Sequence, residues 1–229
     1  SWIIAHMIHA VTAFFWFLVY YGGINALYSM AQKNRFIILG YHSISDPANA
    51  ADAGSNLYKH LSVPKAAFES QLVYMRKRGY TFLRFSDLHD MREGKKSMPP
   101  RPVLIYFDDG YKDNYLNAYP ILKKYGIPAT VFVATDCIDQ KKLLWESSLD
   151  PASAHVFLTW EDVRAMSDVF DVGSHTVTHA KLPSLPPDEA RRELGQSRVR
   201  IYEMTGNYPI ACSYPKSRWT PDIRRLAEE

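Results

Sequence analysis

Short unbroken apolar runs, separated by helical patterns, constrain this chain most. The runs are "RFIILGYHSI" (35–44), "VLIYF" (103–107), "PATVFVA" (128–134), "FDVGSH" (170–175) and "PIACSYP" (209–215). A strand buried on both faces reads as a continuous apolar run rather than as an alternation. Between the runs lie helical patterns. In "VPKAAFESQLVYMRKRGY", Phe68, Leu72 and Met75 are spaced by four and three, and Gly79 is a helix stop. "YLNAYPILKKYG" closes on Gly126, and "TWEDVRAMS" opens on Thr159 with Asp162 three residues on. "PPDEARRELGQSRVRIYEMTG" has Pro near its start and Gly206 at its end, and "TPDIRRLAEE" begins another helix. Strands alternating with helices predict a parallel sheet or barrel with helices outside. In such folds chemistry collects where strands end. Three polar clusters stand at such places: FDDG, GSHTVTH and SYPK.

A chain of 229 residues can bury a substantial core, and 47% hydrophobic with 22% charged residues is ordinary for a globular domain. The formal charge is +3 and no dense Lys/Arg run occurs, so a nucleic-acid partner is not expected. The two cysteines, Cys137 and Cys212, form neither a CxxC pattern nor a disulfide framework and read as free buried thiols. "DPANAADAGSNLY" and the Pro-stiffened "REGKKSMPPRP" read as loops, and residues 136–158 as a long loop of the lid or groove-wall kind. Trp145, Trp160 and Trp219 read as core or rim packing before ligand-stacking platforms.

Residues 1–32 contain no Lys, Arg, Asp or Glu, and "AVTAFFWFLVYYGG" within them is densely apolar and aromatic. A membrane span needs about 20 apolar residues, a length that Trp2–Tyr21 reaches. The segment reads as a membrane anchor first, then as an interfacial helix, then as a core helix. Domain boundaries follow: 1–32 a hydrophobic membrane-associated segment, 36–229 a separate globular domain. The first residue is Ser and the last helix pattern has no cap, so both ends read as fragment boundaries.

Asp108 and Asp109 stand side by side at the end of a buried run. Burying two carboxylates is costly unless a cation meets them. His175 and His179 lie four apart, and a helical turn after Gly173 would face both imidazoles one way. Two histidines and one carboxylate, from Asp109 or Asp108, suit a divalent metal with open positions: zinc, with iron, cobalt or nickel as alternatives. The metal would lower the pKa of water toward about 7, and the free carboxylate would act as general base. Gly110 allows the sharp turn that follows.

"VLIYFDDGYKDNYLNAYPILKKYGIPATVFVAT" and "FDVGSHTVTHAKL" closely resemble the polysaccharide deacetylases, carbohydrate esterase family 4. "ILGYHSI", "FESQLVYMRKRGY" and "LTWEDVRAM" support the resemblance, which runs from about residue 36 to the end. It implies a distorted (β/α) barrel, incomplete at the C-terminus, carrying an N-terminal hydrophobic helix. It implies metal-dependent hydrolysis of N-acetyl groups on a cell-envelope or exopolysaccharide glycan, a linear amide deacetylation, in a membrane-associated protein of the bacterial cell envelope. The alternatives are hydrolysis of another amide or an O-acetyl ester, and a non-catalytic glycan-binding role. By motif, Asp108 is the base, and Asp109, His175 and His179 are the metal ligands. Tyr214, Pro215 and Lys216 of "CSYPKS" line the groove, with the Lys216 N–H on the oxyanion. Tyr106 stands where Thr is usual, and Ser213 where many members carry Arg. The family's general-acid His belongs to a later motif beyond Glu229. His42 is a weaker candidate for that role within the chain.

Overall fold

The computed structural model describes residues 36–46, 61–140 and 157–229. The N-terminal segment, most of the 136–158 stretch and Trp145 therefore lie outside the described residues. In chain order the strands are β1 (Ile37–Tyr41), β2 (Ser43–Ser45), β3 (Ser62–Pro64), β4 (Thr81–Leu83), β5 (Pro102–Phe107), β6 (Ala129–Val133) and β7 (Phe170–Ser174). The helices are α1 (Lys65–Lys77), α2 (Phe85–Arg92), α3 (Tyr119–Tyr125), α4 (Thr135–Gln140), α5 (Trp160–Ala165), α6 (Pro187–Thr205) and α7 (Pro221–Glu228).

The main sheet is parallel throughout, as the apolar runs predict, in the order β1-β5-β6-β7. β1 pairs along β5 from Val103 to Phe107. β4 pairs with the first half of β5 and β6 with its last two residues. A small second sheet joins β2 to β3.

Register separates the two faces of the sheet. Tyr41, Phe107, Val131 and Val172 stand in one row, and with Ile105, Ala129 and Phe170 they face the helices. That face holds the main core, into which α1 sends Phe68, Leu72 and Met75, and α5 sends Val163. Phe107 is fully buried against Tyr41, Phe68 and Phe170, with ring centroids at 5.5, 5.8 and 5.5 Å. Burying one such side chain stabilises by about 1.5–3 kcal/mol.

The opposite face carries Tyr106 and Phe132, which meet Phe85 of α2 edge-to-face. Their register partners are Gly40 and Gly173. A Cβ at Gly40 would fall 2.4 Å from Tyr106, and one at Gly173 only 2.2 Å from Phe132. The aromatic filling of this face thus requires side-chain-free neighbours. Asp171 on the same face binds Arg84 and Ser86, each at 2.7 Å, and ties the start of α2 to β7.

Several sequence expectations need correction. The first run divides at His42 into β1 and β2, which join different sheets. "PIACSYP" forms no strand: a single bridge, Cys212 to Ser174, continues the sheet beyond β7. Pro209 and Pro215 bracket the segment and supply no N–H for a longer ladder. The helix expected over 115–126 begins as a π-turn, Asn114–Ala118, before α3. Pro120 lacks the amide that a regular helical ladder would use there. The sequence reading missed β4 and α2, and it missed α4, which occupies the start of the supposed 136–158 loop. The other helical signals match. Thr159 caps α5 in a reciprocal box with Asp162, and α6 buries Ala190, Leu194, Ser197 and Ile201 on one face.

Candidate active site

Asp108 and Asp109 leave the C-terminal end of β5. The Asp108 N–H still donates to the Tyr41 carbonyl, at 2.9 Å, so the first aspartate remains in the ladder. Asp109 then turns left-handed at φ 71°, followed by Gly110 at φ 75°. Aspartate tolerates that region better than most residues. At Gly110 a Cβ would also stand 3.1 Å from Val133 of β6.

His175 follows β7, and its N–H donates to the Val133 carbonyl at 2.9 Å. The next residues are not helical, contrary to the sequence expectation. Thr176 and His179 are left-handed, at φ 68° and 59°, and the resulting loop folds the second histidine back over the first. The imidazole centroids stand 4.8 Å apart.

Asp109 Oδ1 lies 3.3 Å from His175 Nε2 and 3.4 Å from His179 Nε2. One ligand atom from each of the three residues falls within 4.8 Å of the others, and all three residues are buried. The two contacts are close without being well-formed hydrogen bonds, and the Oδ1 atoms of Asp108 and Asp109 accept none. Buried carboxylate oxygens are rarely left so. The donor set is one carboxylate oxygen and two imidazole nitrogens, which suits a divalent cation.

The surroundings tune each group. Burial lifts the Asp109 carboxyl, but His175, by contact and charge, and then His179 outweigh it, so its pKa falls below the usual value. Burial pushes His179 down to about 4, with the charge of His175 acting in the same direction. An ionised carboxylate and a neutral imidazole are the ligand forms that a cation requires. Burial lowers His175, yet Asp109 and Asp108 together lift it above its ordinary value, so it would give up a proton to a metal. Burial dominates at Asp108 and raises its pKa, opposed by the charges of His175 and His42 and by a hydrogen bond from the Ser213 side chain.

Ser213 acts twice. His175 Nδ1–H donates to the Ser213 carbonyl at 2.8 Å. A carbonyl can only accept, so Nδ1 keeps its hydrogen, and Nε2, on the side of Asp109, is the nitrogen that the ring frees for a metal when it gives up its other proton. The sequence marked Ser213 only as the place where Arg is common. His42, from the β1–β2 junction, acts electrostatically on Asp108, Asp109 and His179. Its carbonyl accepts from the Asn114 side chain at 2.8 Å, which ties that junction to the segment after the aspartates. Nothing local in the sequence announces this pairing across 72 residues.

The third motif is less uniform. Lys216, left-handed at φ 56°, lies in the turn Pro215–Ser217, and its charge reaches His179. Pro215 is buried. Tyr214 packs with the cluster of Leu182, Ala190, Leu194 and Ile223 between α6 and α7. Trp160 is buried, and its indole N–H donates to Asp139 at 2.7 Å, the packing role expected. Trp219 is 55% exposed at the rim of a hollow shared with Tyr214 and Arg224.

Comparison with known proteins gives the family of the chain. The pattern of the family described as "Polysaccharide deacetylase" matches residues 95–229. YxkH of Bacillus subtilis, named for the polysaccharide deacetylases, is 32% identical over 192 residues, covering 84% of this chain and 60% of its own length. The poly-β-1,6-N-acetyl-D-glucosamine N-deacetylase of Staphylococcus epidermidis is 38% identical over 112 residues, 47% of this chain and 38% of that protein. The chain thus spans 60% or less of the length of these relatives. Among solved structures, the Streptococcus pyogenes deacetylase PplD in complex with acetate superposes with a TM-score of 0.70 at 28% identity, over 86% of this chain and 80% of that one. The match takes in β5 with its aspartate pair, the histidine loop after β7 and the third motif, and the chain belongs to the polysaccharide deacetylase family.

Proposed function

We propose that the protein hydrolyses N-acetyl groups on an N-acetylated cell-envelope polysaccharide or exopolysaccharide. The observation that carries this reading is the position of Asp108. It is a buried carboxylate beside a cluster of two imidazoles and a second carboxylate, with one oxygen uncommitted. The Staphylococcus epidermidis relative bears the name of an N-deacetylase of a glucosamine polymer, which supports an acetamide substrate.

Asp109, His175 and His179 would hold a divalent cation, and two nitrogens with one oxygen make zinc our choice. Such a cation supplies Lewis acidity, polarising the acetamide carbonyl and acidifying the attacking water. Asp108 takes the proton of that water. The Lys216 N–H takes the carbonyl oxygen as it gains charge, with Pro215 as the adjoining wall and Tyr214 as its outer support. The acid that protonates the departing amine is, by the family resemblance, a His of a later motif, with His42 the weaker candidate within these residues. The products are an amine sugar and acetate. Residues 1–32 serve as the membrane-associated segment of a cell-envelope protein, and residues 36–229 as the catalytic domain.

The test is acetate release from an N-acetylglucosamine oligomer by the full-length protein, with and without a chelator, beside Asp108→Asn and His42→Ala. Chelator-sensitive release that Asp108→Asn lowers by about 10²–10⁴-fold supports the site and the base together. Stoichiometric metal binding with no acetate released would overturn the deacetylase reading.

A further inference from the structure

The histidine loop is held from outside, and the holding residues lie on α6. Glu193 Oε2 accepts from two successive backbone amides, Val177 N–H and Thr178 N–H, each at 2.9 Å. Its Oε1 accepts from the Thr178 hydroxyl at 2.7 Å. One turn further along α6, the buried Ser197 hydroxyl meets Ser174 Oγ at 2.8 Å. Ser174 Oγ in turn accepts the Thr176 N–H at 3.2 Å. Residues four apart on a helix share a face, so α6 grips the segment at two points. The loop's carbonyls are held from the other side: Thr176 and Val177 accept from the N–H groups of Thr135 and Asp136 at 3.2 and 3.0 Å.

This arrangement accounts for two unfavourable backbone conformations. Thr176 and His179 are both left-handed without being glycine, and such conformations persist only where the surroundings over-determine them. The residues Glu193 clamps, Val177 and Thr178, lie between them. Without the clamp the loop could relax and carry the His179 imidazole away from Asp109.

We infer that Glu193 is a positioning residue for the metal ligands, holding the His175–His179 loop in its ligating conformation through the Val177 and Thr178 amides. The inference rests on the metal reading above. It concerns geometry: the carboxylate works as a paired acceptor, and a neutral acceptor of the same shape should serve. Glu193 reaches the loop through the Val177 and Thr178 amides and the Thr178 hydroxyl.

The experiment uses the full-length protein in three forms: wild type, Glu193→Ala and Glu193→Gln. Zinc affinity is read by competition with a chromophoric chelator, and amide exchange at residues 177 and 178 is read without metal. Glu193→Ala should weaken zinc binding by about 10- to 100-fold, the range typical of residues that orient a ligand from behind. It should also release the two amides to fast exchange while the exchange pattern of α6 stays as in wild type. Glu193→Gln keeps an oxygen acceptor for both amides and should stay near wild type in both readouts. If Glu193→Ala fails to fold, Glu193→Asp withdraws the carboxylate by one methylene and should show the same loss. Unchanged amide exchange in the Ala variant overturns the clamp, whatever the protein does with zinc. Glu193→Gln falling as far as Ala overturns the geometric role. A wild type that takes up no zinc, while its two amides remain protected, overturns instead the metal reading beneath it.

Discussion

Gly110 is the residue where backbone and chemistry constrain each other most tightly. It needs a left-handed φ of 75°, and it packs against Val133 with space for a hydrogen but little more. Gly110→Ala should therefore destabilise the fold by about 1–3 kcal/mol, read in a denaturant melt. It should also displace Asp109, so metal affinity falls with stability. The sequence announced this glycine through its place after two aspartates. The aspartate pair and the two histidines were equally legible, because adjacent like charges at a buried strand end require a partner. Ser213 and Glu193 were not legible as site residues. One meets His175 through its backbone carbonyl, the other meets backbone amides 15 and 16 positions away, and neither relation leaves a local pattern.

At the scale of elements, α6 joins α4 through a forked ion pair. Arg200 Nε and Nη2 donate to the two oxygens of Asp139 at 2.8 and 2.9 Å, and Trp160 adds a third donor. Burial alone would raise the Asp139 pKa, but Arg200 and Trp160 outweigh it and the value falls below the usual 3.8. A carboxyl depressed in the folded state stabilises fully above its unfolded pKa, and this contribution fades as pH falls through the folded one. Arg200→Gln should thus cost about 1 kcal/mol at pH 7, because the pair is partly exposed. The difference from wild type should shrink in urea melts below pH 3.8. The failed expectation at 209–215 belongs to the same scale. An apolar run between two prolines reads as a strand, yet only Cys212 finds a bridge. Pairing depends on which backbone edge stands opposite, and that is a tertiary fact.

At the scale of the molecule, the core face and the site are one construction. Phe107 lies wholly within the core, and Asp108 is the next residue along β5. Phe107→Ala should cost about 3–5 kcal/mol and lower the melting temperature markedly. Metal binding should act in the opposite sense. Zinc at 100 times its dissociation constant should add about 2.7 kcal/mol, and a chelator should remove that gain. Asp109→Asn should abolish the zinc-dependent shift. A thermal melt with zinc, with chelator and with the variant checks all three expectations. Among the described residues no helix is long and apolar enough to cross a membrane. The hydrophobic segment 1–32 lies outside them, and flotation of the full-length protein with and without it tests the proposed membrane association.

The sequence by itself determined the parallel architecture and singled out, at the strand ends, the aspartate pair and the two histidines that the fold brings together. Each follows from a local rule: unbroken apolar runs for buried strands, glycine for a turn, and carboxylates that cannot be buried unpartnered. Only the tertiary structure decided how the two histidines meet. They come together through a left-handed loop gripped by α6 and capped by α4, where the spacing had suggested a helical turn. Only the structure brought Ser213 under His175 and His42 toward the aspartates. The physical reason is the range of the interactions. Propensity and periodicity act over a few neighbours in the chain, whereas the ligand geometry rests on hydrogen bonds between elements that the sheet order alone makes adjacent.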